Sequence, residues 1–342
     1  MKMTCFVPSR EAKTTLRHTV KAHEKLSAIP VTIVVQPPLG VYGVLALVWY
    51  ITEIPARTTH NNNCMAVELK NGNQWLFIAQ DIDAGETTTI EADETACEKS
   101  AERSLTALFN NLEHFGFNFH DLLHTWYYIP QITGYSNQKE RYQIFNKYRK
   151  EIFTKQSNPD HPVAFFPAST GIGCDNARVQ TSAVAFRSNA PVSAYAMENG
   201  YQVPAYEYPQ QESIEPPLFS RGMCLLSKKS AMIFVSGTAS ILDAKTVCEN
   251  DIAGQTHQTI KNIHSLLLQN AIKHGLASPV KIGESIQYST VYIKQEADFP
   301  VVKEICRKFF GNIPILFVKA DICRSNLLVE IECICCMYTN QV

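Results

Sequence analysis

WLFIAQDID (75–83) is an apolar strand running into a polar turn, and MIFVSGTASI (232–241) repeats its character later in the chain. A loop of mixed polarity and then a helical stretch follow each copy. The first helix is predicted over 94–114, where Leu105, Leu108 and Leu112 recur at helical spacing. The second is predicted over 252–273, where Ile260, Ile263 and Leu267 recur at the same intervals. Gly116 and Gly275 stand just beyond these stretches as C-terminal stops. The correspondence continues through HTWYYIP (124–130) and YSTVYIK (288–294), both alternating and rich in β-formers. A second helix follows in each half, ERYQIFNKYRKEIF (140–153) and DFPVVKEICRKFF (298–310). Strand pairs then close each half: FFPAST (165–170) with RVQTSAVAF (178–186), and ILFVKADICR (315–324) with LLVEIECIC (327–335). Each half reads strand, helix, strand, helix, strand, strand, so the fold class is α+β, with two tandem units that each carry a mixed β-sheet and helices packed on one face. The division is a first unit over 1–189, a connector over 190–219 and a second unit over 220–342. The connector holds Pro191, Pro204, Pro209, Pro216 and Pro217, and its tyrosines predict that it packs on the second unit rather than hanging free.

Composition excludes several function classes. The chain is 45% hydrophobic and 18% charged, enough to bury a core. Thirty-one Lys and Arg against 32 Asp and Glu give a formal charge of −1, so neither nucleic acid nor an anionic membrane is an expected partner. GVYGVLALVWYI (40–51) is too short for a bilayer helix, which needs about 20 residues, and reads as a buried strand with its turn. Eleven cysteines without an apolar leader predict free thiols in a reducing compartment, the cytoplasm. No C-x-x-C pair occurs, Cys333, Cys335 and Cys336 lie on an alternating strand, and the ten histidines show no metal spacing, so no metal is expected. His124 and His257 read as structural. PASTGIG (167–173) lacks the Gly-Lys-Ser/Thr ending of a phosphate loop and reads as a tight turn that shapes a cleft. No G-x-S-x-G elbow is present.

The run ADICRSNLLVEIECIC (320–335) resembles the end of the RidA-like (YjgF-type, chorismate mutase-like) fold, where an Arg before a loop and a Glu on the last strand frame a cleft. HTWYYIP, ERYQIFN (140–146), FPASTGIG (166–173), AYEYP (205–209), FSRG (219–222) and FVSGTASI (234–241), in that order, resemble the chorismatase family more narrowly. The resemblance implies a degenerate first RidA-like unit, a catalytic second one and no cofactor. It implies an enzyme that removes the enolpyruvyl group of chorismate as pyruvate. One branch of the family gives 3-hydroxybenzoate, in some members with 4-hydroxybenzoate; another hydrolyses chorismate to a dihydroxycyclohexadienoate. A non-catalytic RidA-like protein binding a small carboxylate is the alternative from another class. RidA-like units form trimers, whereas a tandem duplication can satisfy the same surfaces in one chain, so homotrimer and monomer both stay open.

Chorismate is a dianion with an acid-labile enol ether, so its cleavage calls for cations to hold carboxylates and an acid to protonate the vinyl methylene. In LLVEIECIC, Leu328, Glu330 and Glu332 share one strand face and Val329, Ile331 and Cys333 the other. The pattern alone also describes a solvated Glu and does not separate Glu330 from Glu332; the resemblance selects Glu330 as the general acid. It gives Arg324 the substrate carboxylate, a role suited to a guanidinium's paired donors. Cys323 immediately before this Arg and Gly237 in VSGTAS match the branch that makes 3-hydroxybenzoate; the hydrolytic branch has Ala at both positions. Tyr208, Ser220 and Arg221 are assigned to substrate carboxylate or hydroxyl contacts, with Tyr206 and Val203 beside them. Arg141 is a candidate for the second carboxylate, although an exposed helix charge fits its position as well. The run LDAKTVCENDIAGQ (242–255) departs from the His-Gly-Asp string that the family carries there, keeping only Asp251 and the helix after it.

Overall fold

Alternating apolar strands separated by two amphipathic helices per repeat leave one solution, helices laid on a sheet, and the chain adopts it twice. The computed structural model describes residues 1–40, 43–61, 63–80, 94–136, 138–156, 166–189, 191–276 and 282–338. Residues 81–83 of the first repeat and Phe165 lie outside them. The chain divides into two compact units, one of residues 1–162 and 171–190, the other of residues 163–170 and 191–342.

In the first unit, β1 (Lys2–Val7), α1 (Arg10–Ala22), α2 (Glu24–Ser27), β2 (Val31–Val35) and β3 (Leu45–Trp49) form a three-stranded sheet of order β2-β1-β3, a layer the repeat does not predict. Leu16 and Val20 of α1 pack on Cys5, Val7, Val31, Ile33 and Val35. The reading of residues 40–51 as a buried strand is corrected here. Among the described residues β3 is an edge strand paired with β1, and Val44, Val48 and Tyr50 are exposed. An apolar run is buried along its whole length only where both faces of its sheet are covered.

The same unit continues with β4 (Pro55–Asn61), β5 (Cys64–Leu69), β6 (Gln74–Ala79), α3 (Glu94–His114), β7 (Leu122–Pro130), the short β8 (Tyr135–Ser136) and β9 (Lys139–Glu140), α4 (Arg141–Gln156), β10 (Ala168–Cys174) and β11 (Gln180–Arg187). Their sheet runs β10-β7-β11-β6-β5-β4. Leu105, Leu108 and Leu112 are buried, and Gly116 takes the left-handed conformation (φ 72°) as the predicted stop. PASTGIG is not a tight turn: Ala168–Cys174 is extended as β10, and Gly171 admits the Tyr142 ring, which an added Cβ would meet at 3.3 Å.

The second unit holds β12 (Ser193–Met197), β13 (Gly222–Leu226), β14 (Ser230–Ala239), β15 (Ile241–Leu242), β16 (Lys245–Thr246), α5 (Ile252–Lys273), β17 (Ile286–Ile293), α6 (Phe299–Phe310), β18 (Ile315–Lys319) and β19 (Val329–Tyr338). Its sheet order is β12-β13-β14-β19-β17-β18, antiparallel except for β17 beside β18. The connector therefore supplies a strand, β12, to this sheet. Gly222 faces Leu266 of α5 and pairs with Val235, which in turn pairs with Cys333. That register puts Val329, Ile331 and Cys333 on the α5 face and Glu330 and Glu332 on the opposite one. Asp251 caps α5 by accepting from the Gly254 amide at 3.0 Å, and a Cβ at 254 would crowd the Asp251 carboxylate, whose Cγ lies 2.9 Å from that point. No helix of the described residues is long and apolar enough to cross a membrane.

Asp251→Ala removes this cap and should cost about 1 kcal/mol of stability. Urea unfolding monitored by circular dichroism measures it, and an unchanged midpoint would show that the cap carries nothing.

Candidate active site

Strand β19 pairs with β14 on one side and β17 on the other, so Glu330 lies opposite Ala239 and Tyr292. The β14 register shifts between Val235 and Thr238, where three residue steps face two on β19. This is a bulge at Ser236 and Gly237. Its hydrogen-bonding groups are held by other segments of the same unit. The Ser236 hydroxyl donates to the Ser220 carbonyl at 2.6 Å and accepts from the Ser169 amide at 2.9 Å. The Gly237 amide donates to Thr170 Oγ1 at 3.1 Å.

The Glu330 carboxyl lies against this bulge. A Cβ added to Gly237 would overlap Glu330 Oε1 and stand 2.9 Å from its Cδ. Glycine at 237 thus makes the space the carboxyl occupies. Glu330 is 3% exposed and has no hydrogen-bond partner among the described residues. Burial, and next the charge of Glu332, push its carboxyl up to about 8, while Arg221 pulls the other way. Glu332 is equally buried but bonded: Thr170 Oγ1 donates to its Oε2, and the Tyr292 hydroxyl donates to Oε1 at 3.1 Å. The two carboxyls of one strand face therefore stand in opposite environments.

Two guanidinium groups share a tyrosine. Arg221 and Arg324 stand 5.5 and 5.2 Å from the Tyr208 ring centroid. Arg221 is buried and donates from Nη2 to the Tyr208 hydroxyl at 2.6 Å and the Val203 carbonyl at 3.0 Å. Arg324 donates to the Ala244 carbonyl at 2.9 Å and lies 3.7 Å from Glu212. The Glu198 carboxyl oxygens are buried close to the Arg221 amide and the Ser220 side chain, and burial pushes the group up to about 7 against the pull of Arg221.

Seven of the eight predicted residues, Glu330, Cys323, Arg324, Tyr208, Ser220, Arg221 and Gly237, fall in the second unit. Cys323 is partly exposed beside Arg324 in the chain. The Ser220 hydroxyl donates to the Phe166 carbonyl at 2.7 Å, and residue 220 bridges Ala168, so Ser220 anchors the 166–170 segment. Arg141 belongs to the first unit, where it opens α4. It is buried, not an exposed helix charge, and it lines a pocket of that unit with Cys97, Pro130 and Arg178. Thr170, Tyr292, Glu198 and Glu212 were not among the predicted site residues. Tyr292 could have been found by pairing YSTVYIK against LLVEIECIC, since it falls directly opposite Glu330. The altered 245–251 loop does contribute by holding the turn after Arg324: Thr246 donates to the Asn326 side-chain carbonyl at 3.1 Å, and Asn326 donates to Glu249 at 2.9 Å. Among the described residues no group of three His, Cys, Asp or Glu could hold a metal ion.

A family model described as "Chorismatase FkbO/Hyg5-like, N-terminal" matches residues 48–185, and one described as "Endoribonuclease L-PSP" matches residues 219–337. The chain is 32% identical over 241 residues to a 3-hydroxybenzoate synthase of Streptomyces hygroscopicus, covering 68% of each chain. It is 30% identical over 232 residues to a chorismatase of Streptomyces rapamycinicus, covering 66% of this chain and 67% of the relative. A crystal structure of a chorismatase matches with a TM-score of 0.71 at 21% identity, covering 98% of this chain and 92% of its own, which shows a common fold.

A carboxyl raised from 4.5 to about 8 holds a proton in the native state that the unfolded chain has released. Its stabilising contribution is complete below pH 4.5 and is lost as pH rises through about 8. Glu330→Gln removes that dependence. Its stability relative to wild type should therefore increase from pH 5 to pH 9, by at least about 1 kcal/mol. Thermal unfolding across that range checks the sign, and a parallel pair of curves would contradict it.

Proposed function

This chain belongs to the chorismatase family, and on that premise we propose that it cleaves chorismate to pyruvate and 3-hydroxybenzoate, with Glu330 as the acid that protonates the enolpyruvyl methylene. The observation that carries the reading is Glu330 itself, a buried carboxyl without a donor, pushed up to about 8, in the unit that also holds two guanidinium groups on one tyrosine. A general acid is most useful when its pKa lies near the working pH, and such an acid typically contributes about 10²–10⁴-fold.

Protonation of the methylene makes an oxocarbenium-like carbon, and the low-polarity setting that keeps Glu330 protonated leaves an anion behind to stabilise that charge. Breaking the ring–oxygen bond sends its electron pair to the departing carbon–oxygen unit, which leaves as pyruvate. The neighbouring ring hydroxyl closes on the vacated carbon as an epoxide-like bridge and gives up its proton. Reopening at the carbon it came from leaves the oxygen at the 3-position, where it is reprotonated, and loss of the hydrogen on that 3-carbon makes the ring aromatic. Proton uptake and release balance, so this route consumes no net water. The hydrolytic alternative adds one water and leaves a non-aromatic diene-diol. Gly237 and Cys323, the two positions at which this chain resembles the 3-hydroxybenzoate branch, support the aromatising route. The Cys323 thiol is assigned to the ring side, where it steers proton loss or adds transiently to an epoxide-like intermediate.

Arg324 is proposed to take one substrate carboxylate in exchange for Glu212, and Arg221 with Tyr208 to offer a second, fixed donor set. Ser220 and Gly237 shape the site through the 166–170 segment and the bulge.

Incubation with chorismate and mass identification of the products tests the reading. Equimolar pyruvate and 3-hydroxybenzoate, with or without 4-hydroxybenzoate, is the expected result. Pyruvate with a dihydroxycyclohexadienoate would move the chain to the hydrolytic branch, and no turnover would leave a carboxylate-binding protein. Glu330→Gln should lower kcat by about 10²–10⁴-fold while substrate still binds. Cys323→Ala should shift product from hydroxybenzoate toward the diene-diol; an unaltered product ratio would remove the thiol from that role.

A further inference from the structure

We propose that Glu332 is a positioning residue: the ionised partner of Glu330, kept charged by Thr170 and Tyr292, so that the proton shared by this buried pair resides on Glu330. The inference rests on the reading of Glu330 as the acid and explains what holds the proton there.

The direction of each hydrogen bond follows from valence. Thr170 Oγ1 accepts the Gly237 N–H at 3.1 Å and donates its hydroxyl proton to Glu332 Oε2. A phenol has one proton, and the Tyr292 hydroxyl lies 3.1 Å from Glu332 Oε1. Both carboxyl oxygens of Glu332 thus receive a donor, an arrangement that favours the anion. Glu330 lies two residues away on the same face and receives none among the described residues. The charged and titratable groups facing Glu330 are Glu332 on its own strand, Arg221 at the start of β13, and Tyr292 opposite it on β17. Two like carboxyls this close on a strand, roughly 7 Å between Cα atoms, cannot both ionise cheaply away from water. The pair holds one proton, and the donors decide which member carries it.

Gly237 serves both halves of the device. Its missing Cβ leaves room for the Glu330 carboxyl, and its amide orients the Thr170 hydroxyl toward Glu332. One bulge residue thereby sets the place of the acid and the charge of its neighbour.

The test uses the full chain and reads carboxyl protonation by infrared spectroscopy over pH 5–10, alongside kcat and KM for chorismate. Wild type should show a buried protonated-carboxyl band that titrates near 8 and disappears in Glu330→Gln. In Glu332→Gln the Glu330 band should titrate at least about one pH unit lower. The upper-pH limb of kcat should move down by the same amount with KM unchanged. Thr170→Val combined with Tyr292→Phe keeps both carboxyls but strips the donors. Its band should persist when Glu330→Gln is added, because the proton has moved to Glu332, and its kcat plateau should fall without a downward shift of the limb. Tyr292→Phe alone, the mildest change, should show the same redistribution in part and covers the case in which Glu332→Gln does not fold. A wild-type band that survives Glu330→Gln and vanishes in Glu332→Gln overturns the proposal, as does a Glu330 band unmoved by Glu332→Gln. If chorismate is not turned over at all, the bands still place the proton, so a failed acid assignment and a failed pair assignment are told apart.

Discussion

A carboxyl group held out of water with no donor in reach is the constraint around which the second unit is arranged. Such a group costs stability whenever it is ionised, and proteins ordinarily bond it or leave it at the surface. Here the surrounding polar groups have other partners. Ser236 is tied to Ser220 and Ser169, Thr170 to Gly237 and Glu332, and Tyr292 to Glu332. These three hydroxyls are therefore engaged with groups other than the Glu330 carboxyl. Glycine at 237 acts through space rather than backbone freedom, since an added Cβ would displace the carboxyl from the position it takes here.

How much of this was legible in the sequence depends on sequence separation. Alternation in LLVEIECIC places Glu330 and Glu332 on one face, and the register agrees. It does not say whether that face meets solvent, because what covers it comes from far along the chain. Thr170 is 162 residues from Glu332, and no local pattern links them. PASTGIG shows the limit most clearly: its glycines suggest a turn, yet the segment is a strand whose first residues belong with the second unit and whose later ones belong with the first. Helix boundaries were legible because heptad-like spacing and terminal glycines are local signals. The exposure of β3 was not, since edge position is a property of the whole sheet.

The departure at 245–251 has a physical account. Asp251 is retained because α5 needs its cap, and the residues before it fasten the turn that follows Arg324. Gln255 adds to this fastening, donating to the Asn326 carbonyl and accepting from the Leu328 amide, both at 2.8 Å. A loop that binds a turn from several directions can change its residues while the guanidinium it positions stays in place.

The two cations of the unit are held differently, and the difference bears on how a dianion could be received. Arg221 is buried, makes no ion pair among the described residues, and is fixed by neutral acceptors, a phenol and a carbonyl. Glu198 and Glu330 are the carboxyls that feel its charge. A buried cation held by dipoles keeps its field available to an incoming anion at no further reorganisation. Arg324 is a fifth exposed and already faces a carboxylate, Glu212, at 3.7 Å. The pair is a single approach near the outer limit of an ion pair and is partly screened by solvent, so a better-placed anion could exchange for it. One guanidinium is thus fixed by neutral acceptors and the other faces a carboxylate, both within 5.5 Å of the Tyr208 ring centroid. On the proposed reading, a ligand with two carboxylates would engage both cations, whereas a monoanion would leave one of them without its new partner, so the pair would favour a dianion.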